Sequence, residues 1–168
     1  FLDNGIKIFN EDGEKISRNI EKRIEKYLSS ELIPVKTSAI GKAYRFDESG
    51  PRYIEFCKST VPSDISFASL RIVLDCANGA CYKVSPEIFE ELGAEVITIG
   101  NEPDGYNINQ NCGSTHPELV KEEVIKHRAD FGISLDGDGD RVILVDEKGN
   151  LLDGDDLLYI LAFSNPNR

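Results

Sequence analysis

The sequence has no methionine and no tryptophan, and it contains only two histidines and four cysteines among its 168 residues. The four cysteines lack CxxC spacing. Because 40% of the residues are hydrophobic, we expect the cysteines to be free, partly buried thiols and not a set of disulfides. They are Cys57, Cys76, Cys81 and Cys112. Because methionine is missing even at the first position, we expect the chain to be an excerpt or a proteolytic fragment of a longer protein.

Long apolar runs are also missing, and no signal peptide is present, so the sequence predicts a cytosolic protein that does not cross a membrane. Basic residues are in the minority, with 19 Lys and Arg against 30 Asp and Glu and a net charge of −11. This balance argues against a nucleic-acid partner, because a phosphate backbone requires a basic binding surface. The hydrophobic content of 40% is ordinary for a globular protein.

Residues 136–141 (Asp-Gly-Asp-Gly-Asp-Arg) are the most informative segment. Three carboxylates at alternate positions repel one another, and a fold tolerates that repulsion most readily when a hard cation binds among them. The glycines between them permit the tight turns that point several carboxylates at one place. An arginine beside the last aspartate suits an anion such as phosphate. The pattern therefore predicts a Mg²⁺ or Ca²⁺ site at Asp136, Asp138 and Asp140, with Arg141 placed to meet a phosphate.

Two other interpretations of this segment remain open. In an EF-hand the three aspartates would fill the first ligand positions and Glu147 the twelfth. However, Arg141 stands where that motif needs glycine, and β-branched residues follow where it needs a helix. The other interpretation is a solvated acidic turn, because aspartate and glycine are common turn formers.

The order of apolar segments predicts an α/β fold. We expect helices and strands in the order 50–61 (helix), 71–74 (strand), 85–92 (helix), 95–99 (strand), 117–128 (helix), 131–135 (strand) and 142–145 (strand). This alternation favours a three-layer α/β/α domain with a mostly parallel sheet. The aspartates then lie at the carboxyl edge of the sheet, where open α/β folds bind their ligands. Ser85 is expected to cap the helix at 85–92.

Four further features can be interpreted from the residues alone. Residues 75–80 (Asp-Cys-Ala-Asn-Gly-Ala) lack the GxGxxG of a dinucleotide loop, so a tight structural turn that supports the aspartate loop is favoured. His116, in the polar segment 107–116, either acts as a general acid or base or, as is more common, caps or packs a helix start. His127 and Lys7 have the pattern of ordinary surface residues.

Several motifs together make the chain resemble the phosphoglucosamine mutases, a bacterial branch of the α-D-phosphohexomutase superfamily. They lie at residues 1–9, 74–80, 107–109, 112–118 and 136–141. The aspartate loop is typical of the whole superfamily. The segments 75–80 and 112–117 favour the glucosamine branch over the phosphomannomutase and phosphoglucomutase branches. The resemblance covers nearly the whole chain.

The resemblance implies an enzyme that interconverts glucosamine 6-phosphate and glucosamine 1-phosphate through a phosphoserine and a bisphosphosugar intermediate. Such an enzyme feeds amino-sugar nucleotide and cell-wall precursor synthesis. Mg²⁺ is the implied cofactor, held by Asp136, Asp138 and Asp140 against the phosphoserine. Two catalytic residues are implied: Arg141 near the transferring phosphate, and Lys7 as a lysine that gives acid–base or electrostatic help beside the phosphoserine.

The resemblance also implies four domains around a cleft. Residues 1–40 match the tail of the first domain and a linker, residues 41–150 match the second domain, and residues 151–168 match the start of the third. The phosphoserine segment and the sugar- and phosphate-binding loops of the later domains have no counterpart here, so the isolated chain is expected to be inactive. The implied partners are phosphorylated amino sugars, the remaining domains of the same protein and, for the full-length enzyme, a second copy, with no nucleic acid and no membrane.

Three alternatives stay open beside this resemblance. The first is the phosphomannomutase or phosphoglucomutase branch of the same superfamily, which shares the aspartate loop. The second is a non-catalytic Ca²⁺-binding module. The third is a stand-alone Mg²⁺-dependent phosphatase with an aspartate nucleophile at a strand end, although no companion lysine or serine motif follows the loop.

Overall fold

The computed structural model describes residues 5–31 and 33–164. The chain divides into two compact units, of which the smaller is Gly5–Phe46 and the larger contains Asp47–Arg168. The parts of the predictions that fall on residues 1–4, 32 and 165–168 lie outside the described residues. Within the described ranges, no helix is both long enough and apolar enough to cross a membrane.

The smaller unit contains helix α1 (Arg18–Leu28) and a short 3-10 helix (Thr37–Ala39). Ser17 occupies the N-cap position of α1 with extended backbone, but its side chain makes no capping hydrogen bond. Residues 6–9 form no strand, and only a single antiparallel bridge joins Phe9 to Lys15. A hairpin this short has too little apolar surface to form a strand pair of its own.

The larger unit begins with a helix and then alternates strands with helices. Its elements are α2 (Ser49–Ser59), β1 (Arg71–Asp75), α3 (Val84–Glu91), β2 (Glu95–Ile99), α4 (Glu118–His127), β3 (Phe131–Leu135), β4 (Val142–Asp146), β5 (Leu151–Leu152) and α5 (Gly154–Ser164). The predicted strands 95–99 and 131–135 are confirmed to the residue. The two-residue strand β5 was not predicted.

The strands form one five-stranded sheet in the order β2-β1-β3-β4-β5. The pairs β2-β1 and β1-β3 are parallel, whereas β4 runs antiparallel to β3 and to β5. The reversal at β4 follows from the short connection after β3, because only an antiparallel neighbour can be reached without a crossover. The sheet is therefore mixed in its pairing, although four of its five strands share one direction.

Strand β1 lies inside the sheet and is buried on both faces, and its alternating side chains belong to two hydrophobic cores. Ile72 and Leu74 face the side covered by α3, where Phe89 packs. Val73 faces the opposite side and packs with Val120 and Val124 of α4. Helices therefore cover both faces, which confirms the three-layer α/β/α architecture.

Glycine at position 132 lets α4 lie directly on the sheet. A Cβ atom there would be 2.7 Å from a methyl carbon of Val120 and 2.7 Å from one of Val124. Both valines are fully buried, so no room exists into which they could move. The close approach holds β3, and with it the loop that follows β3, against α4.

The start of α3 differs from the prediction. Ser85 was expected to cap the helix, but α3 begins at Val84 with Lys83 as its N-cap residue, and no side-chain capping bond is present. The reason lies upstream, because the amide of Ser85 already donates to the carbonyl of Cys81 at 3.0 Å. The chain therefore turns in a helix-like manner before Ser85 is reached.

Candidate metal centre

The aspartate loop, residues 136–141, connects β3 to β4 as a closed turn. The amide of Asp136 donates to the carbonyl of Arg141 at 3.3 Å, and the amide of Gly139 donates to the carbonyl of Asp136 at 3.0 Å. Gly139 has φ +72°, and a Cβ atom there would be 2.5 Å from Sγ of Cys81. A residue with a side chain would be both strained and crowded at this position. The turn points the alternating aspartates to one place.

The three carboxylates come together as the sequence predicts. Ligand oxygens of Asp136, Asp138 and Asp140 lie within 4.8 Å of one another. Asp136 is 2% exposed, whereas Asp138 and Asp140 are open to solvent. One carboxylate is thus anchored in the protein, and the other two face solvent.

Arg141 is tied to the buried member of this group. Its Nε lies 2.8 Å from Oδ2 of Asp136, and its backbone amide donates to Oδ1 at 3.1 Å. Burial alone would raise the pKa of Asp136, but these two bonds and the guanidinium charge outweigh burial and lower it. Asp136 is therefore held as a carboxylate, the form that a metal ligand requires, while the Arg141 side chain stays 63% exposed.

Residues 76–80, which follow β1, support the aspartate loop from one side. The amide of Ala80 donates to the carbonyl of Gly137 at 2.8 Å. A Cβ atom at Gly79 would overlap with the carbonyl oxygen of Gly137. Ala77 and Asn78 both have left-handed backbone, at φ 54° and φ 48°. The interpretation of this segment as a tight structural turn at the same sheet edge agrees with this geometry.

The polar segment 107–116 supports the aspartate loop from another side. The amide of Ser114 donates to the carbonyl of Leu135, the residue immediately before the loop, at 2.9 Å. A Cβ atom at Gly137 would lie 2.7 Å from Cδ1 of Ile108. The amide of Asn109 donates to the carbonyl of Ala77 at 2.9 Å. The two supporting segments thus contact each other as well as the aspartate loop.

Asp75 forms hydrogen bonds to both supporting segments and to β3. The sequence did not predict this role. Its side chain is 0% exposed. Oδ1 accepts from the amide of Ala77 at 2.9 Å, and Oδ2 accepts from the amide of Gly113 at 2.6 Å and from Oγ of Ser134 at 3.3 Å. The available signal was an aspartate at the end of an otherwise apolar strand, where burial makes a carboxylate unusual.

The raised pKa of Asp75 predicts that the stability of the folded protein depends on pH. Burial raises this pKa above its ordinary value, and the bonds from Ala77, Gly113 and Ser134 only partly counteract the effect. The folded state then binds the proton more tightly than the unfolded state does. The resulting stabilisation is complete below the ordinary pKa of 3.8 and is lost as the pH rises through the raised pKa.

We therefore expect the melting temperature of the wild type, relative to that of Asp75→Asn, to decrease between pH 4 and pH 7. Paired thermal melts followed by circular dichroism measure this difference, because the asparagine variant lacks the titrating group. Asp146→Asn is the matched control. The pKa of Asp146 is lowered by its bonds to Asn150 and Lys148, so the corresponding difference should not decrease over this range. A wild-type advantage over Asp75→Asn that grows with pH would contradict the expectation.

The remaining candidate residues are His116, His127 and Lys7. His116 is exposed, and its Nδ1 lies 3.1 Å from Oγ1 of Thr115. Helix α4 takes Pro117 as its N-cap residue without a side-chain capping bond, so His116 does not cap it. His127 is half-buried and pairs with Glu123 at 3.0 Å. Lys7 is exposed in the unit Gly5–Phe46, and its catalytic role stays a prediction.

The alternative interpretations of the loop fare differently. The EF-hand is wrong, because the loop leads into β4 and not into a helix. Glu147 lies beyond β4 in the turn that follows it, at the other end of the hairpin. A solvated acidic turn does not describe Asp136, which is buried and paired. The four cysteines are free, as predicted, and burial raises the pKa of Cys76 to about 12 and that of Cys112 to about 11.

A cavity of about 310 Å³ lies near the supporting segments and is lined mainly by carboxamide side chains. Three of these side-chain amides already form hydrogen bonds that hold the polar loop after β2. Asn78 accepts from the amide of Glu102 at 3.1 Å, Asn101 donates to Thr98 at 3.0 Å, and Asn107 accepts from the amide of Asp104 at 3.0 Å. The cavity is therefore a feature of how the polar loop after β2 packs.

Fold and site together define a three-layer α/β/α domain. An acidic loop at the edge of its sheet carries three carboxylates that could hold a metal ion. A family model described as the phosphoglucomutase/phosphomannomutase alpha/beta/alpha domain II matches residues 51–149. The chain belongs to this family. The match spans the sheet from β1 to β4 and includes the aspartate loop.

Curated relatives are similar over almost the whole chain. A phosphoglucosamine mutase of Legionella pneumophila (strain Lens) is 57% identical over 162 residues, which is 96% of this chain and 36% of that protein. A phosphoglucosamine mutase of Acinetobacter baumannii (strain AYE) is 51% identical over 168 residues, 100% of this chain and 38% of that protein. The chain thus spans little more than a third of the length of these relatives.

Solved structures agree on the fold. A phosphoglucomutase/phosphomannomutase family protein of Burkholderia thailandensis is similar with a TM-score of 0.58 and 27% identity, over 68% of this chain and 25% of that one. A putative phosphomannomutase of Thermus thermophilus is similar with a TM-score of 0.63 and 22% identity, over 90% of this chain and 35% of that one. The latter likeness concerns the fold alone.

Proposed function

We propose that this chain is the metal-binding part of a phosphoglucosamine mutase that interconverts glucosamine 6-phosphate and glucosamine 1-phosphate. The observation that carries the proposal is the convergence of three carboxylates within 4.8 Å at a sheet edge, with Arg141 beside them. The identity of 51–57% to curated phosphoglucosamine mutases favours the glucosamine branch over the other branches of the family.

The residues of the loop fit Mg²⁺. Mg²⁺ prefers oxygen ligands at about 2.1 Å, so two ligands on opposite sides of one ion lie about 4 Å apart. The carboxylate oxygens of Asp136, Asp138 and Asp140 lie within 4.8 Å of one another, and the exposed Asp138 and Asp140 can move the small remaining distance. The bound ion would supply positive charge against the negative charge of a transferring phosphoryl group.

The chain's own residues contribute position and charge. Asp136 is held ionised by Arg141 and would anchor the ion, while Asp138 and Asp140 would complete the ligand set on the solvent side. The exposed part of the Arg141 guanidinium is available to a phosphate oxygen, because only its Nε is used by Asp136. Phosphoryl transfer depends mainly on such positioning and charge neutralisation. Lys7 is proposed as a second cationic group that helps the transfer.

The larger assembly is proposed in the same terms. Residues 1–40 would be the tail of a first domain with its linker, residues 41–150 the second domain and residues 151–168 the start of a third. The phosphoserine and the sugar-binding groups would be supplied by the rest of the enzyme, which works in the cytoplasm. By itself, the chain is expected to show no conversion of glucosamine 6-phosphate, because its relatives are almost three times as long.

A hybrid enzyme tests this proposal. This chain replaces the matching segment of the Legionella pneumophila phosphoglucosamine mutase, and conversion of glucosamine 6-phosphate is followed with a bisphosphate activator present. We expect the hybrid to be active and a hybrid with Asp138→Asn to lose about 100-fold or more in rate, since the cation's charge stabilises the transition state. A hybrid with Glu147→Gln is the matched control.

Three results would contradict the proposal. The first is a folded hybrid that is active only on mannose or glucose phosphates, which would assign the chain to another branch of the family. The second is a rate that falls equally with Asp138→Asn and with Glu147→Gln, which would make the loop an ordinary acidic turn. The third is clear turnover by the isolated chain, which would contradict its role as one part of a larger enzyme.

A further inference from the structure

Asp75 is a fully buried carboxylate at the end of β1 that lies outside the proposed ligand set. Burying a carboxylate costs free energy of desolvation unless hydrogen bonds offset that cost. Its two oxygens accept from donors in three separate segments, at Ala77, Gly113 and Ser134. Through these bonds a single side chain joins both supporting segments to β3.

Each of these segments acts on the aspartate loop at a different point. The segment beginning at Ala77 leads to Ala80, whose amide holds the carbonyl of Gly137. The segment containing Gly113 continues to Ser114, whose amide holds the carbonyl of Leu135 just before the loop. Ser134 lies in β3 itself, two residues before Asp136. The bonds of Asp75 therefore set three positions that surround the start of the loop.

The supporting segment after β1 needs such a bond to keep its shape. Ala77 and Asn78 have left-handed backbone, which costs roughly 1 kcal/mol for each residue with a side chain. The amide of Ala77 is buried and is satisfied by Oδ1 of Asp75. Without this acceptor the segment would relax toward ordinary backbone angles, and Ala80 would move away from Gly137.

We propose that Asp75 is a positioning residue for the aspartate loop, and that it sets the spacing of Asp136, Asp138 and Asp140 to favour Mg²⁺ over Ca²⁺. This inference rests on the proposed function of the loop as a Mg²⁺ site. Mg²⁺ demands near-ideal octahedral geometry at 2.0–2.1 Å, whereas Ca²⁺ accepts flexible geometry at 2.3–2.6 Å. A loop held less tightly should therefore lose more affinity for Mg²⁺ than for Ca²⁺.

The ratio of the two affinities separates positioning from other effects. Removing the negative charge of Asp75 weakens the attraction for both ions alike, because both carry the same charge. A general loss of folded protein likewise lowers both apparent affinities by one factor. Only a change in the spacing of the ligands alters the ratio.

The experiment uses the 168-residue chain and Mn²⁺ as the probe. Bound Mn²⁺ is measured by the loss of the free-ion signal in electron paramagnetic resonance, and Mg²⁺ and Ca²⁺ are then titrated in as competitors. For Asp75→Asn we expect Mg²⁺ to bind about tenfold more weakly, in line with the effect of outer-shell substitutions at metal sites, and Ca²⁺ to lose less than about threefold. The matched control, Asp146→Asn, removes a carboxylate that accepts backbone bonds from Lys148 and Asn150 at the far end of the β3-β4 hairpin, and it should leave the ratio unchanged.

Each outcome decides something different. A Mg²⁺-selective loss in Asp75→Asn supports the inference, and an equal loss for both ions, or none, overturns it. If circular dichroism shows that Asp75→Asn does not fold, the same titrations are made with Ser134→Ala. This variant removes only the 3.3 Å hydrogen bond from Oγ of Ser134 to Oδ2 of Asp75. A smaller Mg²⁺-selective loss then supports the inference, and an unchanged ratio overturns it. Failure of the wild type to bind Mn²⁺ or Mg²⁺ overturns the proposed metal function itself, and this result is distinguishable from an unchanged ratio in a chain that binds.

Discussion

Replacing Asp138 with asparagine is expected to weaken the binding of Mg²⁺ to this chain by about 100-fold, because ligand number and charge determine the affinity of such sites. The same change should not lower the melting temperature in the presence of EDTA. Asp138 is exposed, and its charge repels the nearby carboxylates of Asp136 and Asp140 when no cation is present. Isothermal titration calorimetry measures the affinity, and thermal melts followed by circular dichroism measure the stability.

Glu147→Gln is the control for this experiment. It removes the same charge from an exposed position in the turn beyond β4, and it also removes the twelfth ligand of the rejected EF-hand. Its Mg²⁺ affinity should remain within about twofold of the wild type, because an exposed charge at a distance is screened by salt. Equal losses in the two variants would mean that overall charge, and not the loop, attracts the cation.

Gly79→Ala is expected to lower the free energy of unfolding by about 3 kcal/mol and to weaken Mg²⁺ binding as well. The added methyl group would overlap with backbone atoms of Gly137, including its carbonyl oxygen. Neither backbone can turn aside as a flexible side chain would, so the supporting segment and the aspartate loop must separate. Chemical denaturation measures the stability, and calorimetry measures the affinity for Mg²⁺.

Gly154→Ala is the matched substitution at an open position. Apart from its own chain neighbours and helix backbone, no heavy atom lies within 4 Å of the Cβ position, and Gly154 is the first residue of helix α5. Alanine favours a helix over glycine, so this variant should be at least as stable as the wild type, with unchanged Mg²⁺ binding. If Gly79→Ala proved as stable as the wild type, the close packing between residues 76–80 and the aspartate loop would be refuted.

The features that could be predicted from sequence depend on neighbouring residues. The strands at 95–99 and 131–135 were predicted to the residue because each is a short run of apolar and β-branched side chains between polar turns. The convergence of Asp136, Asp138 and Asp140 could be predicted because alternate aspartates separated by glycine need only one tight turn to meet. Ser85 was misassigned as a cap because local preference competed with a hydrogen bond from its amide to Cys81.

The role of Asp75 could not be predicted, because its partners are far away in the sequence. Its carboxylate accepts from Gly113 and Ser134, 38 and 59 positions along the chain. The same limit applies to Gly79, whose importance depends on the backbone of Gly137. In each case the sequence does not state which strands and loops are adjacent, so it does not show that these residues meet.

By itself, the sequence determined the α/β alternation, the acidic loop with Arg141, and the likeness to one branch of a mutase family, because periodicity and short motifs are local properties. Only the tertiary structure decided that Asp136 is buried and paired, and that two distant segments close around Gly137 through Asp75. The physical reason is that burial and hydrogen bonding depend on which strands pair. Pairing follows from the packing of both sheet faces at once, which no single segment of the chain contains.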